Sequence, residues 1–172
     1  SLINAISTSC NGYFCWGLYY MFGNRKKYRS VQDAMTRWKD YMVSMGFGYK
    51  LGIDLPGEKR GMIPNAPFYD KAYRGSWNGL TIISISIGQG EVNLTPLQIA
   101  NLGATIANRG YYYVPHIVQK VQDEPLDTLY TRKHYTMVSR QHYETVVEGM
   151  RRSVLGGTCR SANNPWYEVC GK

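Results

Sequence analysis

Residues Thr95 to Gly110 are punctuated as a complete helix, and a chain that carries this helix has few ways to fold around it. Thr95 stands at the N-cap, where its hydroxyl can accept from a free backbone N–H. Pro96 follows at the first helical position, where a missing N–H costs nothing. Leu97, Ala100, Ala104 and Ala107 recur at spacings of three or four and predict one narrow apolar face. Such small side chains predict a second element packed very close, with this helix at the core. Gly110 is expected to end it as a left-handed residue. Just upstream, Gly88 and Gly90 flank Gln89 and predict a tight turn, because only glycine enters positive φ freely.

The other elements arrange themselves before and after it. Leu2 to Ile6 reads as helix with no cap before it, broken by the polar run Ser7 to Gly12. Tyr13 to Phe22 is aromatic and apolar and predicts a buried helix. Gly23 to Arg29 is a basic loop. Ser30 caps an amphipathic helix whose stripe is Val31, Ala34, Met35, Trp38, Tyr41, Met42 and Met45, ended by Gly46 and Gly48. Residues 49–79 read as one long irregular stretch of the kind that lines functional surfaces. Ile83, Ile85 and Ile87 alternate with Ser84 and Ser86, a period of two that suggests a strand, although a short buried irregular segment would read the same. Tyr111 to Val121 is rich in β-formers, and Pro115 makes it an edge strand. Residues 125–138 read as loop. Ser139 caps a last helix with Tyr143, Val146, Val147, Met150 and Val154 inside and Gly156-Gly157-Thr158 at its end. Val169 to Lys172 reads as the start of a strand.

Composition narrows the class. The 172 residues are 44% hydrophobic, enough for one domain with a real core, and the net charge is +8. Arg25, Lys26, Lys27 and Arg29 are the densest basic cluster: a solvated loop on the bland reading, a contact for an anionic surface or polymer on the functional one. No nucleic-acid-binding motif accompanies the charge, so nucleic acid is not a predicted partner. No run approaches the ~20 apolar residues that span a bilayer, and no signal peptide opens the chain. Cys10, Cys15, Cys159 and Cys170 lack paired metal-binding spacing, and no metal or cofactor is expected. Cys10 is expected to point into packing, and Cys159 and Cys170 flank one loop where they could pair.

Two places can carry chemistry. Ser9-Cys10-Asn11 lies in a break between helices, where a hydroxyl and a carboxamide two residues apart can face one cleft; the competing reading is a helix cap. Lys172 at the start of a strand is otherwise an ordinary solvated lysine.

The order of short motifs adds to this. Ala5-Ile6-Ser7-Thr8-Ser9-Cys10-Asn11-Gly12-Tyr13-Phe14 is followed by Met45 to Gly48, Gly52 to Glu58, Gly61 to Pro64, Ser86 to Gly90, Thr95 to Ala100 and Ala107 to Gly110. Pro115-His116, Gly149-Met150 and Gly157-Thr158 complete the series. In this order the chain resembles the transpeptidase domain of the class B penicillin-binding proteins, of the penicillin-binding protein 2 type. The family uses Ser-x-x-Lys, Ser-x-Asn and Lys-Thr-Gly. Ser9 and Asn11 match the second, and Lys172 matches the first residue of the third. The Ser-x-x-Lys motif is absent from the 172 residues. Gly12 and Cys159 depart from residues common in relatives, Asp or Pro and Ala respectively.

The resemblance implies an α+β fold, mainly helical in this piece: the helical lobe of the penicillin-binding transpeptidase and serine β-lactamase-like fold, with a few strands. Residues 1–172 are expected to be part of one domain, cut at both ends. It implies acyl transfer on peptidoglycan stem peptides through a serine acyl-enzyme, with β-lactams binding at the same site. Ser9 is then expected to relay a proton, Asn11 to hold the substrate amide, and Lys172 to face the substrate carboxylate. A chain lacking the nucleophile is expected to be inert by itself. The parent protein is expected on the outer face of the bacterial cytoplasmic membrane, partnered by a polytopic membrane glycosyltransferase. A β-lactam-binding sensor or scaffold, and a D,D-carboxypeptidase or β-lactamase, are the alternatives on the same fold.

Overall fold

The computed structural model describes all of residues 1–172. Seven α-helices dominate: α1 (Leu2–Ser7), α2 (Asn11–Gly23), α3 (Val31–Ser44), α4 (Ala66–Tyr73), α5 (Pro96–Ala107), α6 (Thr128–Thr131) and α7 (Gln141–Gly156). Two short strands, β1 (Tyr111–Tyr112) and β2 (His134–Tyr135), pair antiparallel with Tyr111 opposite Tyr135. The expected mainly helical piece with few strands is what the chain forms. No helix is long and apolar enough to cross a membrane.

Local punctuation sets the helix ends. Ser1 does cap α1, its hydroxyl accepting from the Asn4 N–H at 3.4 Å. Ser30 caps α3 by accepting from the Asp33 N–H. Thr95 and Gln98 form a reciprocal capping box at the start of α5. The end of α5 differs from expectation: Arg109, at φ 61°, is the left-handed residue that follows the cap. The Gly110 N–H then closes back on the Thr105 carbonyl at 2.9 Å. Gly110 is required for a second reason, since a Cβ there would come within 2.8 Å of the Tyr143 ring.

The main core lies among α2, α3 and α4 and the segment that follows α4. Phe22, Ala34, Met35, Tyr69 and Ile82 are its most deeply buried members. Tyr69 donates to the Glu91 carboxylate at 2.8 Å, and burial together with that bond raises the phenol far above its ordinary pKa. Asp70 accepts from the Trp77 indole at 2.7 Å and from Gln32 at 3.0 Å, which tie its pKa downward in that order of effect. These bonds fasten α4, a helix inside the stretch expected to be irregular. Asn65 caps it and Pro67 lies in its first turn, signals the Gly and Pro content around them hides.

Several other expectations are corrected. Ile83–Ile87 is a 3₁₀ helix, not a strand; the Ser86 hydroxyl bonds back to the Ile83 carbonyl at 2.6 Å, which a flat strand would forbid. Residues 125–138 hold α6 and β2 as well as loop. The α7 helix starts at Gln141 without a side-chain cap from Ser139. The aromatic helix α2 is mostly solvent-facing, with only Leu18 and Phe22 buried. The apolar side of α5 is also uncovered: Ala100, Ala104 and Ala107 are exposed, whereas Gln98, Asn101 and Thr105 are buried. The polar side faces in because the 49–61 segment wraps it, with Gln98 donating to the carbonyls of Tyr49 and Arg60 at 3.0 Å each. All four cysteines are free thiols, and Cys10 is exposed rather than packed.

Candidate active site

The site is assembled by α1 and α7, which approach closely because two glycines allow it. A Cβ on Gly149 would meet Ile6 Cβ at 2.8 Å, and one on Gly157 would collide with the Ser7 carbonyl. The Thr158 N–H donates to that same carbonyl at 3.1 Å. The end of α1 is thus bonded to the end of α7.

Ser9 occupies the left-handed position after α1, at φ 51°. The Ser9 N–H reaches the Ile6 carbonyl and the Cys10 N–H reaches the Ala5 carbonyl at 2.9 Å, closing the helix as a glycine normally would. A non-glycine residue here is strained. The conformation turns the Ser9 hydroxyl toward α7. It lies 2.9 Å from Thr158 Oγ1 and accepts from Lys172 Nζ at 2.9 Å. Thr158 Oγ1 lies in turn 3.3 Å from Ser153 Oγ. Lysine has three donors and no acceptor, so the Ser9 hydroxyl receives its bond and keeps its own proton free to donate.

Asn11 opens α2 immediately after the Cys10 N-cap, which makes no side-chain capping bond. Its carboxamide is exposed and makes no hydrogen bond within the protein. Neither Ser9 nor Asn11 is therefore a helix cap. Lys172 is brought in by α7: the Gly171 N–H donates to the Met150 carbonyl at 3.1 Å. Residues Val169 to Lys172 pair with no strand, because a strand needs a neighbouring ladder and none of the 172 residues supplies one. The structure brings Ser9 and Lys172 into direct contact and sets Asn11 two residues from it. Thr158 and Ser153 are the hydroxyls that sequence reading passed over; Gly157-Thr158, noted only as part of a pattern, was the available signal.

An open apolar groove of about 560 Å³ ends at this cluster. Ile6 of α1, Phe14 of α2, Ile99 and Ile106 of α5 and Met150 of α7 line it, and Lys172 stands at its edge. The exposed Ala100, Ala104 and Ala107 lie on a different side of α5 and do not line the groove. On the outer side of α7, Arg151 and then Arg152 hydrogen-bond the Glu148 carboxylate and pull its pKa down to about 2.

Comparison with known proteins agrees across the whole chain. The family described as Penicillin binding protein transpeptidase domain matches residues 1–172. The chain is 32% identical over 171 residues to the peptidoglycan D,D-transpeptidase MrdA of Acinetobacter baumannii, covering 98% of this chain but 24% of that protein. The structure of Pseudomonas aeruginosa PBP2 in complex with WCK 5153 superimposes with a TM-score of 0.75 at 28% identity, covering 94% of this chain and 34% of that one. A chain from a peptidoglycan synthase complex, solved to describe how polymerization and crosslinking are coordinated, superimposes with a TM-score of 0.72 at 26% identity, covering 97% of this chain and 26% of that one.

Proposed function

Because the chain belongs to the penicillin-binding protein transpeptidase domain family, we propose that it is an internal part of a peptidoglycan D,D-transpeptidase, truncated at both ends, whose nucleophile lies in a segment outside these residues. The whole enzyme then cross-links stem peptides. A serine Oγ attacks the carbonyl of the penultimate D-Ala, the terminal D-Ala leaves as an amine, and an acyl-enzyme remains. An amine of a neighbouring strand takes the acyl group and releases the serine. β-Lactams acylate the same serine.

Each residue of the site has a part. The Ser9 hydroxyl donates the proton the departing amine needs, as a positioned general acid. Lys172 holds that hydroxyl and offers positive charge to the substrate carboxylate. Asn11 presents both a donor and an acceptor to the substrate amide. The observation that carries this reading is the contact of Lys172 Nζ with Ser9 Oγ beside an unengaged Asn11 carboxamide. The apolar groove beside Lys172 is the place for the upstream segment bearing Ser-x-x-Lys. A polytopic glycosyltransferase is the partner we assign, in line with the polymerization and crosslinking complex to which the chain is similar. The outer face of the cytoplasmic membrane is the corresponding location.

The full-length protein tests this. Fluorescent penicillin should label it, and purified stem-peptide substrate should be converted to cross-linked product with release of D-Ala. Labelling without cross-linking would make it a β-lactam-binding sensor, and release of D-Ala without cross-linking would make it a carboxypeptidase.

A further inference from the structure

Helix α2 presents an aromatic face that nothing in the chain covers. Trp16 is 58% exposed and Tyr20 68%. Their rings stack with centroids 5.5 Å apart and planes 28° from parallel. Tyr19 meets the Trp16 ring edge-on at 5.6 Å. Three large aromatic rings in mutual contact and open to solvent on one helix face are a candidate interaction surface. Trp and Tyr are the side chains suited to it, since their rings bind apolar faces while their polar atoms stay wet.

The face has a direction. A hollow of about 130 Å³ begins at Gly12, one residue from Asn11, and runs past Trp16 to Tyr19 and Leu80. A second, of about 230 Å³, shares Tyr19 and Leu80 and continues to Arg25 and Asn78. Together they follow α2 for its 13 residues, roughly 20 Å of helix. The far end is basic. The turn after α2 carries Arg25, Lys26 and Lys27, with the Asn24 side chain accepting from both lysine amides and fixing the turn. The first 32 residues contain four basic side chains and no Asp or Glu. The track is shallow, elongated, aromatic along its length and positive at its end.

We propose that this face is a docking track for the glycan strand of peptidoglycan, an inference that rests on the transpeptidase reading. A stem peptide is covalently attached to its sugar, so a site that holds the peptide has a polymer leaving it. The C–H faces of pyranose rings are apolar and flat and match an exposed indole or phenol ring. The carboxylates of neighbouring stem peptides match the basic turn, which draws an anionic polymer along the track. An anionic membrane is another partner that combines aromatic and basic contacts, and it explains neither the direction toward Asn11 nor the two linked hollows.

The test uses the full-length protein and a Trp16→Ala/Tyr20→Ala double variant. Three measurements are made on each: acylation by fluorescent penicillin, the Kd for soluble uncross-linked glycan strands bearing stem peptides by titration calorimetry, and cosedimentation with phosphatidylglycerol vesicles. Glycan binding should weaken by roughly tenfold or more, about 1.4 kcal/mol, with penicillin acylation within about twofold of the parent. Trp16→Tyr alone, which keeps an aromatic ring at that position, should retain most of the binding. Lys26→Ser/Lys27→Ser, confined to an exposed turn, should weaken binding mainly at low salt. Unchanged glycan binding in the double variant overturns the inference. So does a loss restricted to vesicles, which would make the face a membrane contact. A parent protein that penicillin does not label defeats the transpeptidase reading instead, a result separable from either.

Discussion

Lys172 Nζ lies 2.9 Å from Ser9 Oγ, although 163 residues separate them in the chain. The contact depends on two backbone placements: a left-handed Ser9 at the end of α1, and Gly171 tied to the Met150 carbonyl of α7. Neither residue is buried, so the pair contributes little to stability. Its value is positional, and the consequences are measurable in the full-length protein.

Ser9→Ala should slow acylation by penicillin by about 10²–10⁴-fold, the usual range for a lost general acid. Ser9→Gly should slow it as much, yet melt higher than Ser9→Ala, because only glycine relaxes at φ 51°. The left-handed penalty puts that difference at about 1 kcal/mol. Equal melting temperatures for the two variants would mean that the turn is not held in this conformation in solution.

Asn11→Ala should leave the melting temperature nearly unchanged, since the carboxamide has no partner within the protein. It should raise KM for the stem peptide and lower kcat, because the amide is held in both ground and transition states. A lower melting temperature with unaltered kinetics would return Asn11 to a structural role.

Gly149→Ala should destabilise the protein by about 1–3 kcal/mol, the usual cost of overpacking, because its Cβ meets Ile6 at 2.8 Å. Gly157→Ala should also slow acylation, since its Cβ collides with the Ser7 backbone two residues before Ser9. A Gly157→Ala variant with parental acylation would uncouple the α1–α7 junction from the site.

Glu148 provides a pH test. Its ordinary pKa of 4.5 falls to about 2 in the fold because Arg151, then Arg152, hydrogen-bond the carboxylate. A group whose pKa is depressed on folding contributes stability that is fully present above the unfolded value and lost as pH falls through the folded one. The parent protein should therefore lose melting temperature between about pH 4.5 and pH 2 more steeply than Glu148→Gln. Parallel profiles would show that the ion pairs contribute nothing measurable. High salt should shrink the difference, because the Glu148 side chain is 29% exposed.

The 172-residue chain alone should give no stable band with fluorescent penicillin on denaturing electrophoresis, because it contains no Ser-x-x-Lys. It should bind a hydrophobic dye strongly through the open groove along Ile99, Ile106 and Met150. A covalent penicillin adduct would place the nucleophile within these residues.

Helices with complete punctuation were legible in the sequence, because capping is local. Ser30 with Asp33, and Thr95 with Pro96 and Gln98, satisfy their own orphan N–H groups within one turn. Alternation was less informative. Five residues of Ile-Ser-Ile-Ser-Ile fit a strand or a 3₁₀ turn equally, and no local term separates them. The amphipathic direction of α5 is not settled locally either, for a related reason. Alanines on one side mark a close approach only when the approaching element is present, and here the wrapped 49–61 segment turned the polar side inward.

The sequence by itself determined the residue types of the site: a hydroxyl and a carboxamide at Ser9 and Asn11 in a helix break, and an amine at Lys172. Only the tertiary structure decided that Ser9 turns its hydroxyl to Lys172 and Thr158, while the Asn11 carboxamide stays free. Ser9 is 149 residues from Thr158 and 163 from Lys172, far beyond the reach of any helical or strand period. What closes that gap is the fit of Ile6 and Ser7 against Gly149 and Gly157. Close packing between distant segments has no signature in either segment alone.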